Sequence, residues 1–255
     1  MQPLNITVVQ TTLLWEDVAG NLAHFTNKLK TIQNTDLIVL PEMFTTGFSM
    51  QPKKFAKESS EKGLQWMKQT AADKQCAVMG SIMHEDGGKY FNALFFVEAD
   101  GNTHRYNKRH LFSPGDEGNH YTKGNERLIV NYKGWSICPL VCYDLRFPVF
   151  SRNTVNYDLL IYVANWPEKR QYAWQQLLKA RAIENQSYIV ACNRLGLDGN
   201  DVAHKGGSAI INYMGEEIGF DNEDDVFQFN LYKESQTTFR QQFPFLNDRD
   251  AFTLS

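Results

Sequence analysis

Short apolar, β-branched runs recur from one end of this sequence to the other, and they restrict the fold more than any other feature. NITVVQ at 5–10, TDLIVLP at 35–41, CAVMGSI at 76–82 and NALFFVE at 92–98 begin the series. RLIVNY, WSICPLVC, YDLLIYVAN, SYIVACN and GSAIINYMG continue it. Several are apolar at consecutive rather than alternate positions, the pattern of strands covered on both faces. Between them lie stretches of helical period. WEDVAGNLAHFTNKLKTIQ brings Val18, Leu22, Phe25 and Leu29 onto one face, and EKGLQWMKQTAADKQ and YAWQQLLKARAIENQ have similar periodicity. Strands alternating with helices predict an α/β class of two or more layers. No Gly/Ser linker, low-complexity block or internal repeat divides the chain, so one domain over residues 1–255 is expected.

A chain of 255 residues is long enough to bury roughly 70–75% of its unfolded surface, and needs no covalent staple. Its net charge is −3 and it has no basic tract, which argues against sequence-independent nucleic-acid binding. MQPLNITVVQ lacks a basic segment followed by a long apolar one, and no run approaches about eighteen apolar residues. The expectation is a cytoplasmic protein with no membrane partner. Cys76, Cys138, Cys142 and Cys192 each lie in or beside an apolar run, which suits reduced thiols. Cys138 and Cys142 have no second Cys or His cluster to complete a metal site, so neither metal nor organic cofactor is expected.

Three positions carry chemistry. DLIVLPEMFTTGF reads as a buried strand that stops at Pro41, which places Glu42 just past its carboxyl end, where open α/β sheets bind ligands. Met43, Phe44 and Phe48 would strip water from a carboxylate there, and desolvation suits a general base. Taken alone, Glu42 reads more readily as a solvated loop residue. Lys108, in RYNKRHLF, has Arg105, Arg109 and His110 around it and by itself resembles a basic surface patch. Its aromatic and apolar setting of Tyr106, Leu111 and Phe112 instead suits an ammonium fixed against developing negative charge. Asp116 or Glu117 is placed to hold it charged. In WSICPLVCYDLRFP, strand alternation puts Cys138, Leu140 and Cys142 on one face and Ile137 and Val141 on the other. Cys142 comes last before the chain turns polar, where a thiol gains access; Cys76, Cys138 and Cys192 lie inside runs and read as buried, inert thiols.

In this order and at these separations, Glu42 in LPEMF, Lys108 in YNKRHLF and Cys142 in CYDLRFP resemble the carbon–nitrogen hydrolase (nitrilase) superfamily. The resemblance extends through NALFF, IYVANWP, ARAIENQSYIVACNR and GGSAIINYMGE to nearly the whole chain. It implies a Glu–Lys–Cys triad on a four-layer α-β-β-α sandwich, assembled as a homodimer or higher homo-oligomer. PEMFTTGFSM, NKRHLF, CYDLRFPV and the tail FRQQFPFLNDRD look like the omega-amidase branch, which hydrolyses the terminal amide of 2-oxoglutaramate and related 2-oxo acid amides. Tyr143 stands directly after the nucleophile, where nitrile-cleaving relatives more often carry Trp and Glu, which speaks against nitriles.

On that resemblance, Cys142 is the nucleophile, Glu42 the acid–base, and Lys108 with the Tyr143 N–H the oxyanion hole. Glu117 matches the region of a second essential glutamate. Asp144 and Arg146 are expected to brace the turn as an ion pair, with Arg146 also a candidate for substrate. Asn165 and Trp166 follow another strand end, and Trp166 is a candidate pocket wall. Arg181 and Glu184 read as a packing pair on a helix, although Arg181 is also a substrate candidate. Phe44, Tyr143 and His110 complete the pocket candidates. A papain-like protease or a glutamine amidotransferase would need a catalytic His element that the six histidines do not offer. The remaining alternatives are an amidase or carbamoyl-type hydrolase with another small substrate, and an inactive binding protein on this fold.

Overall fold

The computed structural model describes residues 2–221 and 225–253. The first half of the chain supplies β1 (Leu4–Gln10), β2 (Leu37–Val39), β3 (Ala77–Asp86), β4 (Lys89–Val97) and β5 (Thr103–Asn107). The second half supplies β6 (Val130–Tyr132), β7 (Trp135–Val141), β8 (Leu159–Ala164) and β9 (Tyr188–Asn193). A small hairpin, β10 (Leu195–Leu197) and β11 (Ala203–Lys205), precedes β12 (Ser208–Ile211), β13 (Glu217–Asp221) and β14 (Asp225–Leu231). The helices are α1 (Val18–Lys28), α2 (Pro52–Glu58), α3 (Leu64–Lys74), α4 (Pro148–Ser151), α5 (Gln171–Asn185) and α6 (Lys233–Gln242).

The strands form two six-stranded sheets, in the orders β14-β1-β2-β3-β4-β5 and β13-β12-β9-β8-β7-β6. Their central pairs, β1–β2–β3 and β7–β8–β9, are parallel. Parallel strands are covered on both faces, which accounts for the consecutive apolar runs. On β2, Leu37 and Val39 join a cluster shared with the second sheet, while Ile38 joins Phe25 of α1, Leu29 at its C-terminal cap, and Met67 and Ala71 of α3. The shared cluster continues through β8 to Trp174, Leu178 and Ala182 of α5. Helices, sheet, sheet and helix therefore stack as four layers, the expected α-β-β-α sandwich.

α1 begins at Asp17, whose side chain accepts from the Gly20 N–H at 2.8 Å, and buries Val18 and Phe25 as its period predicts. The helical pattern at 61–75 is the last part of a longer helical stretch that starts at Pro52 and passes through one π-helical segment, Ser59–Gly63. No helix among the described residues is long and apolar enough to cross a membrane. One expectation needs correction. β7 ends at Val141, and Cys142 opens the 3₁₀ turn Cys142–Arg146. Its φ of 43° takes it out of strand alternation, so the turn, not a shared face with Cys138 and Leu140, aims its thiol. Both faces of β7 are also buried in the same cluster.

Candidate active site

The carboxyl ends of strands from both sheets meet where the chain leaves β2, β7 and β8. Beyond β2, Glu42 is fully buried. Its Oε2 accepts the Asn165 N–H just past β8 at 2.8 Å, and the Asn165 side-chain amide donates to the Glu42 carbonyl at 2.6 Å. These bonds tie the end of one sheet to the end of the other. The Glu42 turn is held from β3, where Ser81 accepts the Met43 N–H at 2.9 Å.

Lys108 directly follows β5, and its ammonium lies between two buried carboxylates. Nζ donates to Glu42 Oε1 at 2.9 Å and to Glu117 Oε2 at 2.9 Å and Oε1 at 3.1 Å. It also lies 5.1 Å from the centre of the Phe48 ring. The Asn92 amide of β4 bridges the same carboxylates, at 2.8 Å to Glu42 and 3.1 Å to Glu117. Glu117 further accepts the Phe112 N–H at 2.6 Å. Of the two acids expected near Lys108, Glu117 is the partner. Asp116 instead pairs with His120 and Asn119.

Burial alone would lower the Lys108 pKa, but Glu117, Glu42 and Cys142 outweigh it and hold the ammonium above its ordinary range. The Glu117 carboxyl moves up, because desolvation and the nearby Glu42 charge exceed the pull of Lys108. Cys142 is half-buried. Desolvation pushes its thiol well above the usual value, the Glu42 charge adds to this, and a hydrogen bond to Glu42 keeps the proton on sulfur. The resting group is thus a neutral thiol beside a carboxylate. Cys76 and Cys138 are buried thiols raised by desolvation to about 11 and about 12. Cys192 is buried and donates to the Val9 carbonyl at 3.3 Å.

The turn carrying Cys142 is braced by Asp144, though not through Arg146. Asp144 accepts from Tyr106 at 2.7 Å, from the Val141 N–H at 3.0 Å, and from His110 through its N–H at 3.0 Å and Nδ1 at 2.7 Å. The expected Asp144–Arg146 pair is absent among the described residues, since Asp144 is already filled by these donors. Arg146 lies 4.9 Å from the Trp166 ring centre.

Glu42, Lys108 and Cys142 line a cavity of about 820 Å³ with Tyr143, Arg146, Asn165 and Trp166. Three candidates fall outside its lining. Phe44 packs edge-on against Phe25 in the helix layer. Arg181 donates to the Leu145 carbonyl and pairs with Glu184 at 2.8 Å, the packing pair expected of it. His110 is occupied by Asp144 and stacks on Phe147 at 3.8 Å. The structure adds Asn92, through its bonds to Glu42 and Glu117, and the cavity-lining Arg170 and segment 198–204, none of which the sequence marks as site residues. Asn92 does lie in the motif NALFF; Arg170 and 198–204 have no local signal. No group of His, Cys, Asp and Glu among the described residues could hold a metal ion. Chemically, the arrangement offers a thiol, a carboxylate able to take its proton, and a fixed ammonium beside both.

A family model described as carbon–nitrogen hydrolase matches residues 5–224. Omega-amidase YafV of Escherichia coli (strain K12) is 45% identical over 258 residues, covering all of both chains. The 2-oxoglutaramate amidase of Bacillus subtilis (strain 168) is 30% identical over 225 residues, 86% of each chain. Among solved structures, a CN-hydrolase superfamily protein from Xanthomonas campestris, with an arsenic adduct in its active site, matches with a TM-score of 0.95. It is 38% identical and covers the whole of both chains.

Proposed function

The chain belongs to the carbon–nitrogen hydrolase family, and from that premise we propose that it is an omega-amidase, releasing ammonia from the terminal amide of 2-oxo acid amides such as 2-oxoglutaramate and 2-oxosuccinamate. The observation that carries the reading is the convergence of Glu42, Lys108 and Cys142 on one wall of a cavity that also presents the cation Arg146. The omega-amidase and 2-oxoglutaramate amidase relatives support the substrate class.

Cys142 attacks the amide carbon as its proton passes to Glu42, so the thiolate exists only along the reaction path. The carbonyl electrons move onto oxygen, which the Lys108 ammonium and the Tyr143 N–H hold; losing one such donor typically costs about 2.7–4 kcal/mol. Collapse breaks the C–N bond, and Glu42 returns the proton to the departing nitrogen, leaving a thioester and ammonia. Glu42 then takes a proton from water as its oxygen adds to the thioester, and a second collapse frees the carboxylate product and restores the thiol. Glu117 holds Lys108 in place throughout. Arg146 is the cation left for the substrate's far carboxylate among the expected candidates, because Arg181 faces Leu145 and Glu184.

The test is ammonia release from 2-oxo acid amides, neutral amides of equal length and simple nitriles. The 2-oxo acid amides should be best, neutral amides intermediate and nitriles very poor, with Cys142→Ser inactive on all. Equal rates on the neutral amides would reduce the reading to a broader amidase, and a tenth of the normal rate in Cys142→Ser would remove the nucleophile assignment. A cytoplasmic location and homo-oligomeric assembly belong to the same reading. Exposed Ile183, Met214, Phe243 and Phe245, near one another through Gly215 and the Tyr213–Phe239–Phe243 rings, support assembly. Sedimentation as a monomer would refute it.

A further inference from the structure

Two arginines differ from all the others in this chain. Every other arginine donates to a carbonyl, carboxylate or amide oxygen of the protein. Arg146 and Arg170 have no hydrogen-bond acceptor or ion-pair partner for their guanidinium groups among the described residues, and both line the cavity that holds Cys142. Each is held by an aromatic ring instead, Arg146 by Trp166 at 4.9 Å and Arg170 by Phe112 at 5.0 Å. The Arg170 backbone is fixed as well, since its N–H donates to the Pro167 carbonyl at 3.0 Å and its carbonyl accepts from the Trp166 indole at 2.9 Å.

A guanidinium carries five donors, and a half-buried one normally finds acceptors for them within the protein. Burial lowers the Arg170 pKa and the nearby Arg146 charge adds to this, so with no acceptor on either guanidinium the pair loses hydration and Coulomb energy unless something else enters. The entrant must be anionic, rich in oxygen and small enough to share the cavity with the thiol. A 2-oxo acid end fits this description. Its carboxylate and adjacent keto group present three acceptor oxygens, whereas one guanidinium fork engages two in parallel. A second arginine supplies the remaining donors.

We propose that Arg170 binds the 2-oxo acid end of the substrate together with Arg146, and that it is the residue that selects these amides over neutral ones. This rests on the omega-amidase reading and deepens it. Selection by Arg170 acts through position as well as affinity. A substrate anchored at its far end brings its amide carbon to the sulfur in a narrower range of poses, so the contact enters the rate of the chemical step too.

The experiment compares kcat/KM for 2-oxoglutaramate and for a neutral amide of the same chain length in wild type, Arg170→Met and Arg170→Lys. Arg170→Met should reduce the preference for the 2-oxo acid amide roughly 10–100-fold, the size expected for lost charge-assisted hydrogen bonds, and Arg170→Lys should restore part of it. A binding measurement runs beside it. In the Cys142→Ala background, calorimetry with the dicarboxylate product 2-oxoglutarate should show weaker binding by a similar factor when Arg170 is Met. A wild type that prefers the 2-oxo acid amide, with Arg170→Met equally selective or slowed equally on both substrates, would overturn the role of Arg170 and leave the omega-amidase reading intact. A wild type without the preference would overturn both.

Discussion

Cys142 and Met43 share a backbone state that side chains other than glycine rarely adopt, with φ of 43° and 44°. One carries the thiol, and the other directly follows the carboxylate that the thiol faces. A left-handed residue costs roughly 1–2 kcal/mol relative to the right-handed alternative, so the fold spends stability at both sharp turns that aim the site. This gives a prediction separable from loss of activity. Cys142→Gly and Cys142→Ala should both be inactive, but Cys142→Gly should be the more stable by about 1 kcal/mol in denaturant titration; an Ala variant of equal or greater stability would refute the strain argument. Glu117 gives the second. Its carboxylate supplies two of the hydrogen bonds to Lys108 and a large part of the field that keeps that lysine charged against burial. Glu117→Ala should lower turnover at least about a hundredfold, as expected where a preorganised oxyanion donor is lost. Glu117→Gln should keep more activity but lose it at lower pH on the alkaline side than wild type does, because burial then pulls the Lys108 pKa down with one carboxylate fewer to resist. An alkaline limb identical to wild type would show that Glu117 does not govern the protonation of Lys108.

At the scale of elements, the site depends on how closely β3 approaches the turn after β2. A Cβ added at Gly80 would lie 2.9 Å from the Leu40 Cβ and 3.0 Å from the Phe44 ring, and these two residues flank Pro41 and Glu42. Gly80→Ala should therefore destabilise by roughly 1–3 kcal/mol through overpacking and lower kcat by displacing Glu42. A thermal midpoint and kcat both unchanged would mean that the strand yields freely. That same turn explains a misplacement made from sequence. Because the chain reverses at Met43, Glu42 projects toward Lys108 while Phe44 goes into the helix layer, so proximity in PEMF did not mean proximity in the pocket. The parallel strands and the amphipathic helices α1 and α5 were legible because burial imposes a period on their residues. α6 was not, since Gln236 is its only fully buried residue and Phe239 the one apolar side chain it packs on the core, the rest docking through polar bonds. Lys233 and Arg240 reach the Asp158 carboxylate at 2.6 and 3.4 Å, and Gln236 reaches its carbonyl at 2.8 Å. Charged residues at such spacings look like any solvated helix. β13 and β14 lacked a long apolar run for a related reason, being edge strands of their sheets. Within the candidate site, Glu42, Lys108 and Cys142 stood out through the order and separation of three motifs that are each weak alone, whereas Arg170 reaches the cavity only through the folding of a turn that no local pattern announces.

For the whole molecule, burying thiols and phenols ties stability to alkaline pH. Desolvation raises Cys138 from 9.0 to about 12 and Cys76 from 9.0 to about 11, and burial likewise raises Tyr132 from 10.0 to about 12. In the unfolded chain these groups ionise near their ordinary values, so between about pH 9 and 12 the unfolded state has lost protons that the folded state still holds. The contribution of each raised group is fully present below its unfolded pKa and disappears as pH rises through its folded pKa, so folding stability must fall across this window. Cys138 sits in the cluster that joins the two sheets, and its shift of about three units corresponds to roughly 4 kcal/mol across the window. Urea midpoints measured at intervals from pH 8 to 11.5 should fall progressively, starting near pH 9. Cys138→Ala should start from lower stability, because a buried sulfur is lost, yet decline more shallowly, because one group no longer titrates. The slope is the quantity that decides. If it is the same in Cys138→Ala as in wild type, Cys138 is not what couples this fold to pH, and the alkaline sensitivity belongs to the other buried thiols and the tyrosines.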